Sequence, residues 1–378
     1  MTLETSALIP GLEGVPIAES SLSQVDGEGG HLYYRGYSIE DLTQGMQFEA
    51  IVALLFDGQL PDTARASEVT RQIEAGRTLT DAQIKLARDV AQLTHPMFAL
   101  QATVAALAPK TNNFNQVDFN AAQARGIELV GKVGHLVGVI AQAAAGRPYD
   151  GPRPGESHAH MVLRMITGHD PSALHERVMN SLLILQADHS AANAGTFTTR
   201  VVTSTRAEPE SIISAAIASL SGPAHGGANE AAIRLFVNIG SAANVESYMS
   251  DLLARRERVP GFGHRIYKVK DPRSAVIQRL ADEEGLLRAK EQEFYRISLD
   301  IEEIMRERLA ARGLWPNVDL FSGVVFHALD IPIDFFTPIF AASRTAGWVV
   351  NMKEQLESGN RLFRPTQVWV GEAPRPVH

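Results

Sequence analysis

The sequence predicts a mainly α-helical protein of two domains with one small β-hairpin near its N-terminus. Three observations carry that expectation. The length, 378 residues, suits two domains. Apolar residues recur at helical spacing through most of the chain, and strand-like alternation is scarce after residue 36. Gly- and Pro-rich stretches punctuate the helical runs.

The elements follow in order. "VDGEGGHLYY" reads as the hairpin, with Asp26-Gly27 and Gly29-Gly30 as turn material. From "SIEDL" onward helix signals dominate, and Ser38 with Asp41 reads as a capping box. "TDAQIKLARDVAQLT" puts Ile84, Ala87, Val90 and Leu93 on one helical face. "ESIISAAIASL" does the same with Ile212, Ile213, Ala216, Ile217 and Leu220. Typical helix lengths give roughly fifteen to twenty helices in all. Irregular segments are expected at 143–160, 257–274 and 313–323, and no internal repeat is visible.

Composition narrows the function. Hydrophobic residues make up 45% and charged residues 21%, which suits a globular protein with sizeable cores. A net charge of −8 argues against a nucleic-acid binder and against a polybasic membrane anchor. The chain has no cysteine, which excludes disulfides, thiolate metal sites and thiol nucleophiles, and fits a reducing cytoplasm. The N-terminus lacks the basic and apolar regions of a secretory signal. The most apolar stretch, "LVGKVGHLVGVIAQAAAG", is interrupted by Lys132 and His135, so no membrane span is expected.

Familiar motifs are missing. There is no Gly-x-Gly-x-x-Gly, P-loop, His-Glu-x-x-His or Gly-x-Ser-x-Gly. His158 and His160 have no third ligand nearby in sequence, so a structural or surface role is expected for them, and no metal site.

The chemistry gathers elsewhere. His225, in "SGPAHGGANE", follows a Gly-Pro break and precedes a Gly-Gly pair and a new helix. A helix N-terminus favours the neutral imidazole, which still donates one hydrogen bond. A helix-linking, hydrogen-bonded histidine is the alternative. His264 lies in "PGFGHRIYKVKDPR". From Arg255 to Arg273 this region carries Arg255, Arg256, Arg258, Arg265, Lys268, Lys270 and Arg273 against Glu257 and Asp271. That excess is either a solvated basic face or an anion-binding loop. Asp319, among Val318, Leu320 and Phe321, is either a helix N-cap or a carboxylate with a raised pKa suited to act as a base. Arg344 and Arg364 lie in apolar contexts, so each must meet a carboxylate or an interface. His189 ends an apolar helix.

"GPAHGGANE", "PGFGHRIYKVKDPR" and "PNVDLFSG", in this order and at these separations, resemble the citrate synthase family. "GLEGVPIAESSLSQVDGEGGHLYYRGYSIEDL" and "DFFTPIFAASRTAGWVVNMKEQLESGNRLFRPTQVWVG" are similar to the family's two ends, so the resemblance spans nearly the whole chain. It implies a nearly all-α homodimer. A large domain would hold residues 1–225 and 329–378, and a small mobile domain residues 226–328. Asp319 would remove a proton from acetyl-CoA, His225 would hydrogen-bond the thioester oxygen, and His264 would polarise the ketone of oxaloacetate. His189, Arg273, Arg344 and Arg364 would bind oxaloacetate, with Arg364 reaching the partner subunit's site. Lys268 and Asn317 match positions that touch CoA, and Arg258 and Arg265 join them on charge alone. Acetyl-CoA is a cosubstrate and no cofactor is held permanently. Only about ten residues precede "GLEG", so a dimer without NADH inhibition is expected.

Other readings stay open. 2-Methylcitrate synthase uses the same motifs with propionyl-CoA, and one chain could accept both acyl groups. Two histidines and a carboxylate also suit an iron-binding facial triad. A non-catalytic binding module is the third reading.

Overall fold

The computed structural model describes residues 8–110, 119–223, 225–264, 266–309 and 314–376. Sixteen α-helices and one three-stranded antiparallel sheet occur among them. The sheet opens the fold. Strands β1 (Ser23–Asp26) and β2 (His31–Tyr34) pair with Ser23 opposite Tyr34 and Asp26 opposite His31. The turn forms because the Asp26 carboxylate accepts the N–H groups of Glu28 and Gly29, and Gly30 takes a left-handed φ of 69°. A two-residue strand β3 (Tyr37–Ser38), too short to show alternation, completes the sheet.

Helix signals hold in kind more often than in detail. Helix α1 (Ile39–Gly45) is capped by Ser38, which accepts from Asp41 N, but Asp41 returns its carboxylate to the Ser38 hydroxyl and not to its backbone. The reciprocal capping box sits instead at α4 (Asp81–Ala91), between Thr80 and Gln83. That helix stops short of Leu93, which is 82% exposed and so leaves the predicted face. The pattern on α10 (Pro209–Leu220) holds throughout. Ile212, Ile213, Ala216, Ile217 and Leu220 are all buried, and each of the larger side chains contributes about 1.5–3 kcal/mol.

The helices form two packed groups. In the first, α6 (Phe119–Ala144) runs through the centre against α3 (Thr63–Gly76), α4, α5 (Pro96–Ala105), α7 (His158–Thr167) and α16 (Phe336–Glu357). Residues Ala124–Ala144 are long and apolar enough to cross a membrane despite Lys132 and His135. Yet 83% of that apolar window is buried, as expected of a central core helix. In the second group, α11 (Ala228–Ile239), α13 (Pro272–Ala281) and α14 (Ala289–Leu309) pack on α15 (Val318–Ala328), with α12 (Val245–Ala254) on α14. Contacts of α13 with α1 and α8 (Ala173–Gln186), and of α11 with α16, join the groups.

Candidate active site

The seam between the groups collects the predicted residues. His225 lies in the link from α10 to α11. The link reverses tightly, with His225 N donating to Gly222 O and Gly226 N to Leu220 O. A Cβ on Gly226 would stand 2.4 Å from Leu220 O, so only glycine fits there. His225 Nε2 is 3.2 Å from Asn193 Oδ1, the cap of α9 (Ala194–Ser204). That oxygen already accepts from Gly195 N, so it acts as the acceptor and His225 Nε2 carries the proton. Burial first, then the Arg344 charge, lower the His225 pKa to about 4, which keeps the ring neutral.

The His264 loop is laced to the Asp319 loop. Gly263 N bonds to Trp315 O, Asn317 N to Gly261 O, and Phe262 bridges Pro316. Gly261 and Gly263 both take left-handed φ, and a Cβ on Gly261 would press on Leu320. His264 Nδ1 accepts from both Ile266 N and Tyr267 N at 3.1 Å. The proton of the neutral ring therefore sits on Nε2. Burial and then the Arg273 charge lower its pKa to about 4.

Asp319 is inside the first turn of α15, and Asn317 is the cap, accepting from Asp319 N. The capping alternative for Asp319 is thereby removed. Its carboxylate has no hydrogen bond or ion pair among the described residues and keeps part of its surface open. Burial pushes its pKa up to about 7, against the opposing charges of Arg273, Arg258 and Arg344.

Two buried arginines behave differently. Arg273, at the start of α13, is held in a fork by Asp271, with Nε–Oδ1 3.0 Å and Nη2–Oδ2 2.7 Å, so only its Nη1 edge stays outside that fork. Arg344, on α16, gives Nε to Gln186 O and stacks over Phe340, but it meets no carboxylate within 4.0 Å among the described residues. Its Nη2 has no partner among the described residues, and burial lowers its pKa to about 10. His189 follows α8. Its ring is 5.1 Å from His264, its buried Nε2 is unpartnered, and burial holds its pKa far below the ordinary range.

Of the remaining predicted residues, Asn317 is buried between the two loops and the others described lie at the exposed edge. Arg364 lies in the exposed C-terminal segment, outside its own chain's seam, where neighbouring Phe363 packs on Phe197 of α9. Both ends of the Asn317 amide are engaged, with Asp319 N and Gly263 O. Lys268 and Arg258 are exposed and form no ion pair among the described residues, and Arg265 lies outside those residues. Two other charges of the basic stretch are paired, Lys270 with Glu302 at 2.6 Å and Arg255 with Glu257 at 2.9 Å.

His158 and His160 occupy the first turn of α7 rather than a loop. His158 is fully buried against Phe48, and His160 bonds Glu176 at 2.9 Å. The ligand atoms of His225, His264 and Asp319 do not converge within 4.8 Å of one another, unlike those of a facial triad.

Sequence reasoning missed Tyr267, Asn193, Asp188 and Asp271. Tyr267 is buried, with its ring 4.6 Å from His264 and its hydroxyl unpartnered. The Asp-Pro of "KDPR" was a readable signal for Asp271, since a cap followed by proline at N1 opens α13.

The comparisons with known proteins bear on family and fold. The family described as citrate synthase, C-terminal domain, matches residues 11–366. The chain is 37% identical to a citrate synthase of Synechocystis sp., over 98% of this chain and 93% of that one. It is 34% identical to a 2-methylcitrate synthase of Shewanella oneidensis, over 97% and 96%. The structure superposes with a TM-score of 0.91 on citrate synthase of Thermoplasma acidophilum, solved as a ternary complex with carboxymethyl coenzyme A and oxaloacetate. That match covers 97% of each chain at 32% identity. A near-complete family match, relatives of full length and a superposable fold leave one reading of descent: the chain belongs to the citrate synthase family.

Proposed function

We propose that the protein condenses acetyl-CoA with oxaloacetate and hydrolyses citryl-CoA to citrate and CoA. One observation carries the chemistry: an unpaired carboxylate with a raised pKa shares a seam with neutral imidazoles and an unpaired buried arginine. Asp319 takes a proton from the acetyl methyl group. A carboxylate with a pKa near 7 is a stronger base than an ordinary one and is still substantially ionised at neutral pH. His225 turns its Nε2–H from Asn193 to the thioester oxygen, where negative charge develops. His264 presents Nε2–H to the ketone of oxaloacetate and protonates that oxygen as the carbon–carbon bond forms. Water then cleaves the thioester of citryl-CoA.

Arg344 and the Nη1 edge of Arg273 bind the oxaloacetate carboxylates beside His189. Arg364 completes the partner subunit's site in a homodimer. Its exposure supports this, as do Leu362, Val368, Trp369 and Val370 on the same exposed segment. Lys268, Arg258, Arg265 and Asn317 form the CoA side, and the exposed, unpaired Lys268 and Arg258 suit its phosphates. Residues 226–328 close on 1–225 and 329–378 to exclude water until condensation is done. The enzyme works in the cytoplasm, at the entry to the tricarboxylic acid cycle.

Thiol release with oxaloacetate tests the proposal, comparing acetyl-CoA with propionyl-CoA on the wild type and on Asp319→Asn. The expected result is at least a tenfold preference in kcat/KM for acetyl-CoA and near-total loss in the variant. The Shewanella oneidensis relative favours 2-methylcitrate synthesis as the second reading. One methyl group is worth only about 1–3 kcal/mol in a pocket, so equal or better use of propionyl-CoA would select it. No thiol with either substrate would defeat both.

A further inference from the structure

The hairpin touches both the His189 elbow and the His264 loop. At its open end, Ser23 and Tyr34 stand opposite each other and both meet the turn that follows α8. Ser23 Oγ donates to Asp188 Oδ2 at 2.6 Å and accepts from Ser190 N at 2.9 Å. Tyr34 Oη donates to Asp188 O at 3.0 Å and accepts from Asp188 N at 3.2 Å. His189 lies between these anchored residues. Asp188 is fully buried, and Ser190 sits at φ 67°, a left-handed conformation that costs a serine energy and that its surroundings must enforce.

At the turn end the hairpin seats on the residues just after His264. Lys268 N donates to Gly27 O at 2.8 Å. A Cβ on Gly27 would stand 2.4 Å from Ile266 O, and one on Gly30 2.7 Å from Val269 Cγ2. The strand between the two ends spans about 10 Å and is stiffened by its pairing.

We infer that the hairpin is a spacer that sets His189 and His264 in register for oxaloacetate, with Ser23 as the positioning residue at the His189 end. The inference rests on the proposed assignment of both histidines to oxaloacetate. The two rings are 5.1 Å apart, yet the chain between them runs out through α9 to α12 and back. The hairpin supplies a short path between them. Without the Ser23 hydroxyl, Asp188 Oδ2 and Ser190 N each lose a partner; Asn351 and Tyr34 still hold Asp188, so the turn loosens on its Ser190 side and His189 shifts. Ser23 itself does not meet the described CoA-side residues, and Lys268 joins the hairpin only at its other end, through Gly27 O.

The test compares wild type, Ser23→Ala, Ser23→Thr and Gly27→Ala by steady-state thiol release, by calorimetric titration with oxaloacetate alone, and by thermal melting. Ser23→Ala is expected to raise KM and Kd for oxaloacetate about tenfold, the worth of a hydrogen bond to a charged group. It should hold kcat within about threefold and leave KM for acetyl-CoA unchanged. Ser23→Thr keeps a hydroxyl and should restore oxaloacetate binding. Gly27→Ala, acting from the other end, should weaken it again. An unchanged oxaloacetate KM in Ser23→Ala overturns the inference. So does a loss spread evenly over both substrates, or failure of Ser23→Thr to restore binding. A wild type that releases thiol and binds oxaloacetate keeps the proposed function standing whatever the variants do. A wild type that does neither removes both.

Discussion

Arg200 and Arg344 are equally buried, each 1% exposed, and both lie against or on α16, yet their surroundings differ. Arg200 gives two hydrogen bonds to Asn351 Oδ1 and one to Glu354 Oε2 at 2.5 Å, so its charge is met within the protein. Arg344 reaches one backbone carbonyl and leaves Nη2 bare. Desolvating a guanidinium is costly in either place. The α9–α16 seam offsets that cost internally, whereas the cleft leaves it open, as the proposed binding of a dianion at Arg344 requires. Between these two arginines it is unsatisfied burial, more than burial alone, that marks the one in the seam, although buried unpartnered atoms also occur in the scaffold, as at Arg77 and His158.

Substitution sharpens this contrast. Arg200→Met should destabilise the protein by about 3–5 kcal/mol, because it strips a buried partner from Glu354. Arg344→Met should cost less than half as much while raising KM for oxaloacetate at least a hundredfold. Denaturant titration alongside kinetics checks both, and equal destabilisation would erase the distinction.

Asp319 extends the argument to pH. Its folded pKa of about 7 lies above the ordinary 3.8, so the native state loses stability as pH rises between those values. Asp319→Asn removes that penalty and should stabilise the protein by up to about 4 kcal/mol above pH 7, with little effect near pH 4. Stability curves at the two pH values decide it.

His135 belongs to the satisfied scaffold, with Nδ1 on Arg77 O and Nε2 on Tyr149 Oη. Burial lowers its pKa from 6.5 to about 4. The unfolded chain binds that proton more readily, so the contribution is full above pH 6.5 and is lost as pH falls toward 4. It amounts to about 3 kcal/mol, and His135→Gln should flatten this part of the acid limb. The smallest effect is expected on the surface. Lys85→Ala removes the exposed pair with Asp89 and should change stability by less than about 0.5 kcal/mol.

Legibility followed range in sequence. The α10 face and the glycine-flanked joint at His225 are local patterns, and both were readable. Asp319 was readable as one of two things, and the position of Asn317 two residues earlier removes one of them, the cap. The Asp271 fork on Arg273 was legible in principle, from a cap next to a proline. The Ser23–Asp188 bond spans 165 residues, and no local pattern announces it. Ser190 likewise takes its left-handed turn at a residue that carries no glycine signal.

Helix α6 carries a consequence for biosynthesis. Its long apolar surface packs on α3, α4, α5 and α7 and on α16, which begins roughly 190 residues after α6 ends. At about 5–20 residues per second, a ribosome needs about 10–40 s to deliver that cover. For that interval the nascent chain holds a membrane-like segment whose final neighbour does not yet exist. Until then α6 can pack only on α3, α4, α5 and α7, which precede it or follow it closely, and the strip that α16 covers stays open.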